Sequence, residues 1–550
     1  MTDDFFQDGP RLGNQYEDDA LLRAFLRWRL PAEVHAAVEP GLERLGHRAA
    51  TDILAMGDAA EAEPPRHVPY DPWGRRIDEI VVPPAWRALD RVSAEEGIVA
   101  AAYERAHGGW SRLDQMARLY LFHPSSAVYS CPLAMTDGAA RFLELYGDER
   151  TREAYGHLTS SDPSRFWTSG QWMTERTGGS DVSQTSTVAR RTEDPRVFAL
   201  HGTKWFTSAT TSQLAFALGR IEGAPAGGRG LSVFMIELRD ATGALQGIRV
   251  NRLKDKLGTR ALPTAELTLH GAPALLVGGE GDGVRKIASL FNVTRAYNAV
   301  CAVAGMRRAI ALARDYATRR HAFGRPLAEH PLHRETLAEL DARFHACFHL
   351  AFQVAELIGR EECGEASEAE QAMLRLLTPV AKLYTARQAV VVASEALEAF
   401  GGAGYIEDTG LPRLLRDAQV LPIWEGTTNV LSLDVWRAIE RTDAFAPWIA
   451  DVRARMACVR VPALAPAVAT IRDTLDRIER HVAASSDRTT REAGARRLAF
   501  AIGRVAGASR LMEHAASAAG DDERLGEMAL RWTARDLAPG LGGGSGSGGG

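Results

Sequence analysis

Residues 283–320, GVRKIASLFNVTRAYNAVCAVAGMRRAIALARDYATRR, form one long run with apolar residues at spacings of three and four. Such spacing predicts an amphipathic helix. Two further long runs of this kind occupy residues 331–362 and 367–400, and a shorter one follows residues 421–430. Because each amphipathic helix must bury its apolar face, the sequence predicts a four-helix bundle.

Two other sequence patterns precede this predicted bundle. Residues 21–145 also show helical spacing, interrupted by turns rich in proline and glycine such as EPPRHVPYDPWGRR. Residues 166–276 contain short β-type runs, among them VFALHG, LAFALGR and LSVFMIEL, which predict an antiparallel sheet or barrel. The predicted segments are an N-terminal helical domain (1–165), a central β domain (166–276), a four-helix bundle (277–444), an extra helical domain (445–539) and a flexible Gly/Ser tail (540–550).

Length, charge and cysteine usage exclude several classes of protein. A chain of 550 residues is too long for one compact core, and its net charge of -5 argues against nucleic-acid binding by the whole surface. The acidic N-terminus MTDDFFQDGP is unlike a secretory signal, and no apolar run is long enough to span a membrane. The five cysteines are scattered without a C-x-x-C pair. We therefore predict a cytoplasmic protein with reduced thiols and no metal.

The glycine-rich run VGGEGDGV, residues 277–284, lies between a strand-like stretch and a helix. Its spacing is not G-x-G-x-x-G, and no acidic residue stands between Asp282 and Asp315 to bind a ribose. We therefore interpret it as a strand-to-helix turn.

Three other runs are candidates for binding a cofactor. WMTERTGGSDVSQTST (172–187) offers backbone amides and hydroxyls to a flavin edge or a phosphate, although a Gly-Gly-Ser turn is often only structural. RRHAFGRP (319–326) offers arginines to a pyrophosphate and Phe323 to an adenine, but basic residues also simply stabilise a helix C-terminus. FGGAGY (400–405) is either a helix cap or a place where a cofactor approaches the backbone.

LPIWEGTTNV, residues 421–430, places the carboxylate of Glu425 between an indole and a glycine. Desolvating a carboxylate costs free energy unless the group is paired or has chemical work to do. Glu425 is therefore a candidate acid or base.

Five motifs occur in the order and spacing of the acyl-CoA dehydrogenase family: WMTERTGGSDV, GTKWFTS, RHAFGRPL, AFGGAGYI and RDAQVLPIWEGTTN. The resemblance implies the α+β, mostly α, fold of that family, with the domain order predicted above, bound FAD and usually a homotetramer. YDPWGRRIDEIVVPPAW, SCPLAMT, RLKDKLGTR and IWEGTTNVLSLDV, together with the extra C-terminal block, resemble the AidB-like, adaptive-response branch of the family.

The resemblance also implies site residues. Phe206 stands where most members have Trp, and Ser208 where they have Thr, while Glu398 and Pro331 replace glutamines of the subunit-bridging contacts. Ser180 and Arg295 would contact the substrate. The implied FAD-binding residues are Met173, Thr174, Ser180, Phe206, Thr207, Ser208, Arg320, Phe323, Gly401, Gly402, Trp424, Thr427 and Asn429.

The chemistry implied is α,β-dehydrogenation of an acyl-CoA thioester. Glu425 would be the base that removes the α-proton while the flavin takes a hydride. A minority of the family uses a glutamate before the arginine of an earlier helix; Thr294, before Arg295, stands there, so Glu425 has no rival. An electron-transfer flavoprotein is a candidate electron acceptor.

An alternative function is protection of DNA against alkylation damage by a flavoprotein with weak or vestigial dehydrogenase activity, because AidB-like proteins are thought to bind duplex DNA through the extra C-terminal domain. From Arg441 onward the sequence has 16 arginines, 13 acidic residues and no lysine. The competing interpretation is a solvated helix face, since apolar residues of 468–482 step by three and four with Arg alternating with acids. The candidate DNA-binding residues are Arg488, Arg491, Arg496, Arg497, Arg504 and Arg510.

Overall fold

The structure is a computed structural model that describes residues 7–520 and 522–541. Most of the predicted Gly/Ser tail therefore lies outside the described residues. The chain divides into two compact units. Unit 1 comprises Met1–Glu43, Arg105–Tyr120 and Asn298–Gly550, and unit 2 comprises Arg44–Glu104 and Leu121–Tyr297. No helix in the described part of the chain is long and apolar enough to cross a membrane.

Between residues 20 and 158 the regular elements are helices, except for one hairpin. The helices are α1 (Ala20–Arg29), α2 (Ala32–Ala50), α3 (Asp52–Ala62), α4 (Pro84–Glu95), α5 (Ala100–Glu104), α6 (Ser111–Phe122), α7 (Ser130–Tyr146) and α8 (Arg152–Leu158). Strands β1 (Arg66–Tyr70) and β2 (Arg76–Val81) pair antiparallel in the stretch that we interpreted as a turn-rich connection. The turn itself is stabilised by Asp71, whose Oδ1 accepts from the backbone N–H groups of Trp73 and Arg75.

Unit 2 contains the predicted central sheet. Its seven strands are β3 (Ser169–Trp172), β4 (Val188–Arg191), β5 (Val197–Ser208), β6 (Leu214–Ile221), β7 (Leu231–Glu237), β8 (Ile248–Leu253) and β9 (Thr264–Val277). They lie in the order β3-β6-β4-β5-β9-β7, with β8 on β9. Most pairings are antiparallel, as predicted, but β3 and β4 both run parallel to β6. One face buries Phe216, Leu218 and Val233 against α7.

The long helical runs are present with nearly the predicted bounds. They are α9 (Gly283–Lys286), α10 (Ala288–Arg319), α11 (Pro331–Glu362), α12 (Glu368–Ala399), α13 (Leu411–Ala418) and α14 (Thr428–Arg441). A short hairpin, β10 (His321–Ala322) and β11 (Arg325–Pro326), precedes α11. The run at 277–284 is the predicted strand-to-helix turn, since β9 ends at Val277 and α9 begins at Gly283. The predicted fold class, with its four-helix bundle, is confirmed.

Four further helices form the extra C-terminal block: α15 (Phe445–Cys458), α16 (Ala465–Ala484), α17 (Arg488–Ser517) and α18 (Glu523–Thr533). A buried ion pair joins α17 to the bundle within unit 1. Arg510 Nη2 donates to Glu356 Oε2 of α11 at 2.6 Å, and Arg29 Nε of α1 donates to the same oxygen at 3.1 Å. Because a buried carboxylate is costly without partners, these two arginines tie three helices together.

Candidate active site

In unit 2, the loop after β3 carries Met173 and Thr174 and is held by a buried ion pair. Glu175 Oε1 accepts from Lys204 Nζ of β5 at 2.8 Å, and the two side chains are 2 % and 0 % exposed. Glu175 Oε2 also accepts from the backbone N–H and the hydroxyl of Ser186, both at 2.6 Å. The carboxylate therefore fixes both ends of the predicted flavin loop to the sheet.

Glu175 is ionised in this setting. Burial alone raises the pKa of this carboxyl, but the Lys204 charge and the hydrogen bonds from Lys204, Ser186 and Thr187 together lower its pKa to about 2. Burial lowers the pKa of the Lys204 ammonium, against the attraction of Glu175. Sequence reasoning missed both residues, although Glu175 lies in WMTERTGGSDV and Lys204 in GTKWFTS. The sequence signal was the pair of charged residues within otherwise small or apolar runs.

The end of β5 presents the predicted flavin-facing residues in alternation. Phe206 is 59 % exposed, with the Lys254 ammonium 4.8 Å from its ring centroid. Thr207 points the other way: it is buried and its hydroxyl donates to the Ala265 carbonyl at 2.6 Å. Ser208 is partly buried, with its hydroxyl 3.0 Å from that of Thr264. The Thr207 side chain is therefore bonded within the sheet, and the Met173 side chain belongs to the core.

The remaining predicted residues of unit 2 differ in exposure. Ser180 is exposed in the loop between β3 and β4. Arg295 is partly buried on α10, with its guanidinium 6.0 Å from the ring centroid of Phe291. Thr294 is buried, and its hydroxyl donates to the Phe291 carbonyl at 3.2 Å. The position of the alternative base therefore holds a side chain bonded to its own helix.

In unit 1, the predicted base Glu425 stands in a strained backbone conformation. Its φ is +56°, in the left-handed region that costs a residue with a side chain about 1–3 kcal/mol. The fully buried Lys382 of α12 donates to the carbonyls on both sides of it, to Trp424 O at 2.6 Å and to Gly426 O at 2.7 Å. The ammonium group therefore fixes the peptide unit that precedes Glu425 and the one that follows Gly426, which restrains the backbone on both sides of Glu425.

Two neighbours of Glu425 make hydrogen bonds within the chain, and a third has a buried donor without a partner. Thr427 is the N-cap of α14, and its hydroxyl accepts from Val430 N. Asn429 is exposed and its Oδ1 accepts from Arg496 Nη1 of α17 at 3.3 Å, which brings a predicted FAD contact and a predicted DNA contact together. The indole N–H of Trp424 is buried and has no hydrogen-bond partner in the described structure. Such a donor is suited to an acceptor from a bound ligand.

The predicted adenine-binding segments are open. Phe323 is 97 % exposed at the tip of the β10–β11 turn, with a φ of +51°. Gly401 has a φ of +63°, and no described heavy atom lies within 4 Å of where a Cβ would stand at Gly401 or Gly402. Arg320 is also exposed. Each segment therefore has room for a ligand.

Four segments of the chain match known protein families. Residues 170–272 and 281–440 match the acyl-CoA dehydrogenase middle and C-terminal domains, residues 11–162 the adaptive response protein AidB N-terminal domain, and residues 443–542 an acyl-CoA dehydrogenase 11 C-terminal domain-like family. Acyl-CoA dehydrogenase family member 11 of Caenorhabditis elegans is 42 % identical over 96 % of this chain and 89 % of its own length. The chain belongs to the acyl-CoA dehydrogenase family.

Further relatives support the assignment. The putative acyl-CoA dehydrogenase AidB of Escherichia coli K12 is 34 % identical over 73 % of this chain and 74 % of its own. The crystal structure of C. elegans ACDH-11 in complex with C11-CoA matches with a TM-score of 0.95, covering 98 % of this chain and 94 % of that one. The structure of the Bd2924 apo-form is 52 % identical, with a TM-score of 0.88 and coverage of 93 % and 100 %. The predicted family and its AidB-like character are confirmed.

The six candidate DNA-binding arginines of this chain do not form one accessible face. Arg510 is 5 % exposed and ion-paired with Glu356 and Glu513, so it is not available to a phosphate. Arg488 pairs with Glu492, and Arg491 with Glu440. Arg504 is partly buried over the Tyr384 and Phe500 rings. Only Arg496 and Arg497 of the six are exposed without an acidic partner in the described structure.

Proposed function

We propose that this FAD-dependent acyl-CoA dehydrogenase desaturates an acyl-CoA thioester between its α and β carbons, with Glu425 as the base. The observation that carries the proposal is the left-handed backbone conformation of Glu425, whose neighbours Trp424 and Gly426 both accept from Lys382 through their carbonyls. A strained backbone that is held by a buried cation indicates a functional position. The similarity to an ACDH-11 structure in complex with C11-CoA supports a thioester substrate.

The described residues fit FAD. The buried indole N–H of Trp424 lacks a partner, Phe206 presents an exposed ring, and Gly401 and Gly402 leave space beside the backbone. Thr174, Ser180 and Ser208 add hydroxyls to this proposed set, Thr427 and Asn429 lie next to Trp424, and Arg320 and Phe323 would contact the adenosine end. When bound, FAD supplies the acceptor for a hydride.

The chain's own contribution is to hold and move a proton. The Glu425 carboxylate takes the α-proton of the thioester, and the electron pair of that C–H bond forms the new double bond as the β-hydrogen leaves with its pair. We propose Arg295 and Ser180 as substrate contacts. Fixing the Glu425 backbone limits the orientations that the carboxylate samples, which lowers the entropic cost of reaching the α-carbon.

The test is anaerobic reduction of the flavin by a panel of acyl-CoA thioesters. We expect bleaching of the visible flavin bands by at least one acyl-CoA, and the chain-length dependence identifies the preferred substrate. A purified protein that takes up no FAD, or an FAD-loaded protein that no thioester bleaches, would refute the proposal. Reoxidation by an electron-transfer flavoprotein tests the proposed acceptor.

Lys382→Met should slow flavin reduction by about 10- to 100-fold and shift the pH profile of kcat/KM, because Glu425 loses its fixed orientation. Stopped-flow reduction across pH measures both effects on the FAD-loaded fraction. The matched control is Thr385→Val, which changes another buried side chain of the same helix whose hydroxyl donates only to Ala381 O. If Lys382→Met reduces only the yield of folded protein and leaves the pH profile in place, Lys382 is merely structural.

The exposed residues Arg320 and Phe323 at the β10–β11 turn support a proposal about the oligomeric state. We propose a cytoplasmic homotetramer in which Phe323 and Arg320 contact FAD bound to a neighbouring subunit, because a ring that is 97 % exposed at a strained turn buries almost none of its surface in its own chain. Light scattering on the FAD-loaded protein tests the assembly, and a monomer would contradict it.

Phe323→Ala should weaken FAD binding without unfolding the chain.

A second candidate function is binding of duplex DNA, favoured by the exposed Arg496 and Arg497 on α17. Replacing both by Gln should lower the slope of log K against log salt by about 2, because each phosphate contact contributes about 0.9. The measurement is fluorescence anisotropy of a labelled duplex at several salt concentrations. Arg66→Gln, an exposed arginine of β1, is the control. A slope that the double variant leaves unchanged would remove α17 from any DNA interface.

A further inference from the structure

Unit 2 has a cleft that none of the predicted flavin or substrate residues lines. Its volume is about 1010 Å³, and it lies between the β1–β2 hairpin, α4 and the segment from Arg239 to Arg249. Small-molecule sites typically have volumes of about 300–1,000 Å³. The cleft is therefore large enough for an organic ligand of considerable size.

Four arginines at this cleft have no acidic hydrogen-bond partner: Arg75, Arg87, Arg239 and Arg249. For none of them does the described structure contain an ion pair or a hydrogen bond from the guanidinium. Arg239 is the most enclosed, since its Nη1 is buried without a partner. Burial lowers the pKa of Arg239, and the nearby Glu79 carboxylate opposes that effect. A buried N–H donor without a partner is costly unless an acceptor, such as the oxygen of an anion, binds it.

The acidic residues of the cleft are mostly occupied. Asp78 accepts from Arg76 Nε at 2.7 Å and lies 2.8 Å from His67 Nε2. Asp90 accepts from the Tyr129 hydroxyl at 2.8 Å. Glu79 is exposed and lies near Arg239. The unneutralised charge at the cleft is therefore positive.

Hydrogen bonds between the β1–β2 hairpin and β8 hold one wall of the cleft in place. Arg76 Nη2 donates to the Val250 carbonyl at 2.7 Å, and Val250 N donates to Asp78 Oδ2 at 3.1 Å, so the hairpin is bonded directly to β8. Apolar side chains contribute to the same wall, and they are Ile80, Val82, Trp86, Leu245 and Ile248. A rigid wall with both apolar and cationic parts suits a ligand with an apolar body and an anionic head.

We propose that this cleft binds an organic anion, with a phosphate or carboxylate head accepting from Arg239 and an apolar body against the wall around Trp86. Guanidinium groups pair with both kinds of head in a bidentate manner, so the two share one chemistry. Arg75, Arg87 and Arg249 at the rim attract the anion and add contacts. The inference is independent of the dehydrogenase reaction, because no residue assigned to that reaction lines the cleft.

The test uses the FAD-loaded protein and three probes of one shape: 1-naphthyl phosphate, 1-naphthoate and the neutral 1-naphthol, titrated by calorimetry. We expect the anions to bind at least ten-fold more tightly than naphthol, and the tighter of the two identifies the head group. Arg239→Gln should weaken anion binding by about 10- to 100-fold, the effect of losing a charge-assisted hydrogen bond. Glu79→Gln should tighten it, because a competing carboxylate is removed.

Two controls separate this cleft from the active site and from misfolding. Arg66→Gln, on β1 and outside the cleft, should leave binding within two-fold of the wild type. Arg249→Gln changes an exposed side chain and should still weaken anion binding if Arg239→Gln fails to fold. Equal affinity for naphthol and the anions, binding that both arginine variants retain, or binding accompanied by a flavin absorbance change that persists in them would each overturn the proposal.

Discussion

Glu425→Gln protein is expected to keep its FAD and to reduce it at least about 100-fold more slowly than wild type when an acyl-CoA is added without oxygen. Gln has nearly the same shape as Glu but cannot take a proton, so the substrate binds while the α C–H bond stays intact. No second carboxylate stands in the usual alternative position, where Thr294 is buried and bonded to the Phe291 carbonyl. The expected residual rate is therefore low.

Stopped-flow absorbance of the flavin bands measures this rate, and the flavin content of the purified variant shows that the pocket is intact. Glu395→Gln, an exposed acid on α12, is the matched control and should reduce its flavin at the wild-type rate. Bleaching of Glu425→Gln at an unchanged rate would exclude Glu425 as the base. Loss of FAD from the variant would instead assign Glu425 to cofactor binding.

The elements with strong local patterns were predictable. The run at 331–362 coincides with α11, because its periodic apolar residues begin at a proline suited to the first helical turn. The β1–β2 hairpin was missed because its two strands are short and partly exposed, and because the residues that join them, DPWGR at 71–75, suggest only a turn. The parallel pairing of β3 with β6 was also missed, since residues 169–172 join a strand that begins 45 positions later, at Leu214. No local period encodes such a pairing.

The site divides in the same way. Glu425 was predictable as a candidate because its immediate neighbours make a carboxylate unusual. The role of Lys382 was not, because the carbonyl that it binds at Trp424 lies 42 residues away in sequence. Lys204 and Glu175 are 29 residues apart and meet only when the sheet forms. Arg510 was predicted to contact DNA together with its neighbouring arginines. In the structure it is buried and ion-paired with Glu356, which no local sequence pattern indicates.

Breaking the ion pair between Glu175 and Lys204 is expected to have the largest effect on stability. Lys204→Met leaves a carboxylate buried without its charge partner, which costs about 3–5 kcal/mol in the free energy of unfolding. The loop from Met173 to Thr187 should lose its side-chain attachment to β5, so FAD binding should weaken as well. Thermal unfolding of the apo and FAD-loaded forms measures both effects.

The double variant Glu175→Gln/Lys204→Met should cost less than the sum of the single changes, because it removes both charges together. Arg150→Met is the matched control: its ion pair with Asp194 is about half exposed, so its melting temperature should equal that of the wild type. If the Lys204→Met and Arg150→Met proteins have the same melting temperature, the buried pair does not stabilise the loop.

The same pair predicts an acid dependence. The folded pKa of Glu175, about 2, lies below the ordinary value of 4.5, so its contribution to stability is complete above about pH 4.5 and is lost as the pH falls towards 2. Without Lys204 the pKa of Glu175 rises, because burial is no longer opposed by the ammonium charge. Acid titrations followed by circular dichroism should therefore show Lys204→Met unfolding at a higher pH than wild type, whereas coincident acid transitions would mean that Glu175 carries no linked proton.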